Sequence, residues 1–186
     1  MKHAVFLDRD GTINREVDVL RRVSQLKILP GVARAIRRIN KLGFLTIVVT
    51  NQPVVARGWL TEKGVERINN ILIKRLARAG AKIDAIYYCP HHPNANLKKY
   101  RKNCSCRKPK PGMILKAMKR FGISRKGSFM VGDYVWDIMA GKAAGLKTIL
   151  IKSSMRSVDP KYAHVKPDFV ARDLGEAVKI IRRYGQ

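Results

Sequence analysis

The sequence predicts an α/β protein built on a doubly wound parallel sheet, and three observations carry that expectation. Short, nearly unbroken apolar runs of strand length alternate with longer stretches whose apolar residues recur at helical spacing, the pattern of strands joined by right-handed crossovers. The runs at 44–49 and 148–151 lack polar alternation, as expected of parallel strands covered on both faces. Polar clusters follow the carboxyl ends of the runs, where open α/β sheets form their ligand crevice.

The first strand, residues 4–7, runs into Asp8-Arg9-Asp10-Gly11-Thr12. Acids at i and i+2 project to one side before Gly11 lets the chain turn. An Asp-x-Asp pair alone can also cap a turn, so its meaning depends on what the other strand ends carry. Residues 13–29 read as a flap with broken periodicity. Pro30-Gly31 opens a helix to about Leu42, with Val32, Ala35, Ile36 and Ile39 as its apolar stripe. The strand at 44–49 ends in Thr50-Asn51-Gln52-Pro53. Thr61 is an N-cap without a capping box, because Gly64 stands where an acid is needed, and its helix carries Val65, Ile68, Leu72 and Leu76 before Gly80. A third strand at 83–88 enters a Pro-, Asn- and Lys-rich loop, 89–110, with no periodicity. Helix 112–121, strand 128–131 closed by Gly132-Asp133, helix 136–144, strand 148–151, a polar loop, a short strand at Phe169-Val170 and a helix from Leu174 complete one domain over 1–186.

Lys and Arg total 39 against 13 acids, a net charge of +26, which gives a positive field attractive to phosphorylated ligands. The cations are dispersed, so nucleic-acid binding is possible without being favoured over solvated helix faces or adaptation to heat. The three cysteines all fall between Cys89 and Cys106. An odd, clustered set argues against a disulfide framework and for a metal site in a reducing compartment. With no leader-like or membrane-length apolar stretch, a cytoplasmic monomer is expected. The order Cys89-x-His91, then twelve residues, then Cys104-x-Cys106 suits tetrahedral, structural Zn²⁺, which would staple the aperiodic loop. His92 competes with His91, and spacing does not separate them.

The set Asp8-x-Asp10-Gly11-Thr12, Thr50-Asn51, Lys108 and Gly132-Asp133, in this order and at strand ends, resembles the haloacid dehalogenase superfamily of phosphatases. The resemblance implies Asp8 as nucleophile, Asp10 as general acid and base, and Thr50 and Lys108 as holders of the phosphoryl oxygens. It also implies Mg²⁺ on Asp8, Asp133 and the Asp10 carbonyl. That chemistry is sound in itself, since a carboxylate attacks a phosphate only when their mutual repulsion is neutralised. The stretches 87–93 and 104–113, with Asn51-Gln52 and Ala56-Arg57-Gly58, look like the zinc-bearing branch of heptose bisphosphate and histidinol-phosphate phosphatases. That branch has no separate cap domain. By the same resemblance Asn51, Gln52, Arg57 and Arg107 would bind substrate, with Lys110 a rival to Lys108. The implied substrate is a sugar bisphosphate of the heptose type; histidinol phosphate and a nucleic-acid 3′-end are the alternatives. Two departures touch specificity. Pro53-Val54-Val55 replaces Ser-Gly-Ile of the heptose enzymes, and Tyr134 stands where they usually carry Lys.

Overall fold

The computed structural model describes residues 1–152 and 160–185. Its strands are β1 (Ala4–Leu7), β2 (Leu45–Asn51), β3 (Ala85–Cys89), β4 (Phe129–Gly132), β5 (Lys147–Ile151) and β6 (Phe169–Ala171). Its helices are α1 (Val32–Lys41), α2 (Pro53–Ala56), α3 (Glu62–Arg78), α4 (Gly112–Phe121), α5 (Val135–Ala143) and α6 (Leu174–Tyr184). Among the described residues the strands form one parallel sheet in the order β3-β2-β1-β4-β5-β6. The doubly wound fold expected from the sequence is therefore present.

The two-residue strand period divides the core. Val5 and Leu7 of β1 face a layer formed with α1, α3 and α6, including Ile36, Leu72 and Ile181. Ala4 and Phe6 face the opposite layer, with Met113, Ile114 and Ala117 of α4 and Ala140 of α5. All four β1 side chains are fully buried, which explains the run without polar alternation. Each large apolar side chain buried in this way contributes about 1.5–3 kcal/mol relative to exposure. Thr61 caps α3 as expected, its hydroxyl accepting from the Gly64 N–H at 3.1 Å.

The structure differs locally from the sequence reading. β2 continues through Thr50 and Asn51, and β3 takes in Cys89, because each end pairs with the other, Asn51 opposite Cys89. The stretch after Gln52 forms the short helix α2, with Pro53 at its first turn and Val54, Val55 and Ala56 buried. The flap is tied down by bridges Asp10–Asn14 and Asn14–Ile28. Of the expected polar loop after β5, residues 153–159 lie outside the described residues. No described helix is long and apolar enough to cross a membrane.

Candidate active site

β1 lies between β2 and β4, so the carboxyl ends of these neighbouring strands meet around Asp8. The Asp8 N–H donates to Val131 O on β4 at 3.0 Å. A cleft of about 470 Å³ opens there, lined by Asp8, Asp10, Thr50, Lys108, Asp133 and Asp137, among others.

Lys108 Nζ sits 2.8 Å from Asp8 Oδ1 and 2.6 Å from Asp137 Oδ1. Its place depends on Asn51, whose amide accepts from the Lys108 N–H and donates to the Lys108 carbonyl, both at 3.0 Å. Asn51, an expected substrate contact, lines the cleft, and both ends of its amide grip the backbone of the lysine. Lys110 is held outside, its Nζ 2.7 Å from Asn103 Oδ1. Lys108 is 3% exposed and lines the cleft.

Asp8, Asp133 and Asp137 bring carboxylate oxygens within 4.8 Å of one another. Burial pushes the Asp8 carboxyl up to about 7; the Lys108 ammonium opposes this, while Asp137 and Asp10 add to it. Burial, followed by repulsion from Asp8 and Asp137, raises Asp133 to about 8. Burial also works against the charge on Lys108, but Asp137 and Asp8 outweigh it and raise that lysine above its ordinary range. One ammonium among three carboxylates leaves the site short of positive charge. Asp133 Oδ1 accepts from Thr12 Oγ1 at 3.3 Å, whereas the buried Oδ2 has no hydrogen-bond partner. An all-oxygen donor set with an orphaned carboxylate oxygen fits a hard divalent cation.

Two glycines allow this crowding. A Cβ on Gly11, whose φ is +82°, would run into the Asp133 carboxylate, and one on Gly132 would meet the carboxylate of Asp137. Asp137 was not foreseen. Its signal was the i+4 spacing from Asp133 into the first turn of a helix, where an acid is ordinarily read as favourable to the helix dipole.

Asp10 points elsewhere. Its Oδ1 accepts from Arg9 Nε at 3.2 Å and Asn14 Nδ2 at 2.9 Å, and its Oδ2 from an Arg9 terminal nitrogen and Gln52 Nε2, both at 2.8 Å. Burial raises this carboxyl, but Arg9, Asn14 and Gln52 outweigh burial and hold it below the usual aspartate range. Its carboxylate is thus separate from the metal-like cluster, and only its carbonyl is left for the ligand role expected of it. Gln52 Nε2 also lies 3.0 Å from Thr50 Oγ1, joining two expected site residues.

Arg57, His92, Arg107, Trp59 and Trp136 line the outer cleft. Arg57 and Arg21 lie against the Trp59 ring, at 4.9 and 4.3 Å from its centroid. Arg107 donates to the His91 carbonyl at 3.1 Å, linking the cleft to a second cluster. There Cys106 Sγ is 3.2 Å from both Cys89 Sγ and Cys104 Sγ and 3.4 Å from His91 Nδ1. The cysteines are free, and the four ligand atoms converge within 4.8 Å. This Cys₃His set could hold a metal ion. His92 is not part of it; its Nδ1 accepts from Asn94 N–H and it faces the cleft instead.

A strand-end carboxylate held by a buried lysine, beside a cation-seeking acid pair on an all-parallel sheet, defines a phosphoryl-transfer class of α/β hydrolases. Comparisons with known proteins agree. The HAD-hydrolase-like family profile matches residues 105–177. The chain is 37% identical over 183 residues to a D-glycero-β-D-manno-heptose-1,7-bisphosphate 7-phosphatase of Pasteurella multocida, covering 98% of each chain. It is also 37% identical to the protein of that name from Escherichia coli K12, over 97% of this chain and 94% of that one. Among solved structures, the D,D-heptose 1,7-bisphosphate phosphatase of B. bronchiseptica, complexed with magnesium and phosphate, superposes with a TM-score of 0.85. It is 29% identical, covering 98% of this chain and 99% of that one. The chain belongs to the haloacid dehalogenase-like phosphatases, in the family of these heptose bisphosphate phosphatases, and is itself a phosphatase.

Proposed function

We propose that the chain is a Mg²⁺-dependent phosphomonoesterase that works through an aspartyl-phosphate on Asp8, with D-glycero-D-manno-heptose 1,7-bisphosphate as substrate. The observation that carries this reading is the buried Lys108 held between Asp8 and Asp137 beside the partnerless Asp133 oxygen.

In the first step Asp8 attacks phosphorus, the bond from phosphorus to the sugar oxygen breaks, and the leaving oxygen takes a proton that Asp10 has gained from solvent as the ester binds. In the second, water attacks the phosphoryl group, the bond to Asp8 breaks, and Asp10 recovers a proton from that water. Lys108 and Thr50 hold the transferring oxygens, where positioning and charge neutralisation supply most of the rate. Asp8, Asp133 and the Asp10 carbonyl would hold Mg²⁺, which would supply the charge that lets an anionic nucleophile approach a phosphate. Asp137 acts through Lys108, fixing its ammonium beside the nucleophile.

The substrate assignment rests on the named relatives and on the outer cleft. A bisphosphate presents a second anion, and Arg57, Arg107, His92 and Gln52 line the same cleft as the acids. Zn²⁺ fills the Cys89, His91, Cys104 and Cys106 set in this reading, as three thiols and an imidazole favour. Three free cysteines also suit the reducing cytoplasm.

A phosphate-release screen with Mg²⁺ over heptose bisphosphates, histidinol phosphate and 3′-phosphorylated oligonucleotides tests the proposal. The heptose ester should give the highest kcat/KM, and Asp8→Asn should abolish turnover. Release from none of the panel, or turnover indifferent to Asp8→Asn, would overturn it.

A further inference from the structure

The reaction just described gives Arg9 no task, yet Arg9 is among the largest fully buried side chains of the protein, 1% exposed. Burying a guanidinium is unfavourable unless its donors are paired. Its Nε and one terminal nitrogen fork onto the two oxygens of Asp10, and its other terminal nitrogen donates to Asn69 Oδ1 at 2.9 Å. Asn69 stands on α3 and is itself buried. The fork therefore runs from a core helix to the proton-carrying carboxylate.

Asp10 receives four donors in all: two from Arg9, one from Asn14 and one from Gln52. A carboxylate offers about four acceptor positions, so this one is full. A leaving-group oxygen can reach Asp10 only by displacing a donor. Of the residues supplying those donors, Gln52 lines the cleft, while Arg9 and Asn14 do not. Gln52 Nε2 also has a second acceptor at hand, Thr50 Oγ1 at 3.0 Å.

We propose that Arg9, anchored by Asn69, is the positioning residue that fixes Asp10, and that Gln52 is the partner the leaving-group oxygen displaces at Asp10 Oδ2. The inference rests on Asp10 being the acid and base of the reaction. The exchange has a chemical direction. The Gln52 N–H is a donor and needs a bare Oδ2, whereas an ester oxygen is an acceptor and needs a proton there. That proton comes from solvent as Gln52 withdraws, and when the bond from phosphorus to the leaving oxygen breaks it passes to that oxygen. When water cleaves the phosphoaspartate, its proton returns to the same carboxylate. Arg9 cannot supply the proton itself, since guanidinium stays charged in proteins. Its contribution is orientation, which the planar fork provides and a lysine ammonium cannot.

Leaving-group dependence separates this role from a structural one. The C7 ester of a heptose bisphosphate leaves as an alkoxide that needs a proton; p-nitrophenolate leaves without one. Arg9→Lys should lower kcat/KM, which reports the step in which the leaving group departs, by about 100-fold on the heptose ester, the usual size of an acid–base contribution, and leave kcat/KM on p-nitrophenyl phosphate within severalfold of the parent. Hydrolysis of the phosphoaspartate is common to both esters, so kcat is not the readout. Asn69→Thr, which keeps Arg9 but removes its anchor, should shift the same ratio in the same direction by a smaller factor, and it decides the matter if Arg9→Lys does not fold. Gln52→Met should disturb the ratio less than Arg9→Lys; a larger effect would overturn the assignment of Gln52 as the displaced partner. Equal losses of kcat/KM on both esters, or no loss on either, would overturn the role of Arg9. Asp10→Asn serves as the reference. If it shows no leaving-group dependence, the acid–base reading of Asp10 fails and takes this inference with it. If it shows the dependence and neither Arg9→Lys nor Asn69→Thr does, the inference alone fails.

Discussion

Gly11 decides how closely the first strand end can approach Asp133. Its φ is +82°, and a Cβ would press on the carboxylate of that aspartate. Gly11→Ala should cost about 1–2 kcal/mol from the left-handed backbone alone, read by urea denaturation, and should weaken Mg²⁺ binding measured by calorimetry. Lys108→Met removes the one ammonium shared by Asp8 and Asp137 and leaves buried carboxylates uncompensated. A loss of about 3 kcal/mol is expected in metal-free buffer, partly recovered on adding Mg²⁺. Asp8, Asp10 and Asp133 could be singled out from the sequence because polar residues recur in order at the ends of several apolar strands, although each acid alone could cap a turn. Asp137 and Arg9 could not, since each has an ordinary local reading, as a helix-start acid or as a spacer between two aspartates. Only the folded chain shows Asp137 reaching Lys108 across 29 positions and Arg9 reaching Asn69 across 60.

At the scale of elements, the aperiodic loop after β3 delivers Lys108, held by the thiol cluster a few positions upstream and by Asn51 from β2. Cys104→Ser with Cys106→Ser should reduce bound Zn²⁺ from about one per chain to none, checked by elemental analysis, and lower kcat by loosening Lys108. A second tie joins β5 to β6. Asp168 accepts from the Thr148 N–H at 2.7 Å and its hydroxyl at 2.6 Å. Burial raises the Asp168 carboxyl, but these bonds and Lys142 outweigh it and hold it below its ordinary value. The folded value being the lower one, its stabilisation is present above the unfolded value of about 3.9 and is lost as pH falls through the depressed one. The gap in unfolding midpoint between parent and Asp168→Asn should therefore be widest near neutrality and close in acid. Periodicity revealed the long helices, each with a clear apolar stripe. It missed α2, whose four residues are too few to show a period.

For the whole molecule, a net charge of +26 means that exposed cations repel one another across distances that salt can screen. The Debye length falls from about 30 Å at 0.01 M to about 8 Å at 0.15 M, so the melting temperature should rise over that range while kcat/KM for an anionic ester declines. Alternating runs made the parallel α/β class readable in advance; the neighbour order was not, because equally apolar strands carry no label for their partners. That order places β1 at the centre of the sheet, with Val5 opposite Phe129, 124 residues downstream. A ribosome adding roughly 5–20 residues per second takes about 6–25 s to make that partner. Until then β1 has at most β2 beside it, and its other edge stays open. The catalytic centre is begun at the end of β1 and closed only once β4 has followed.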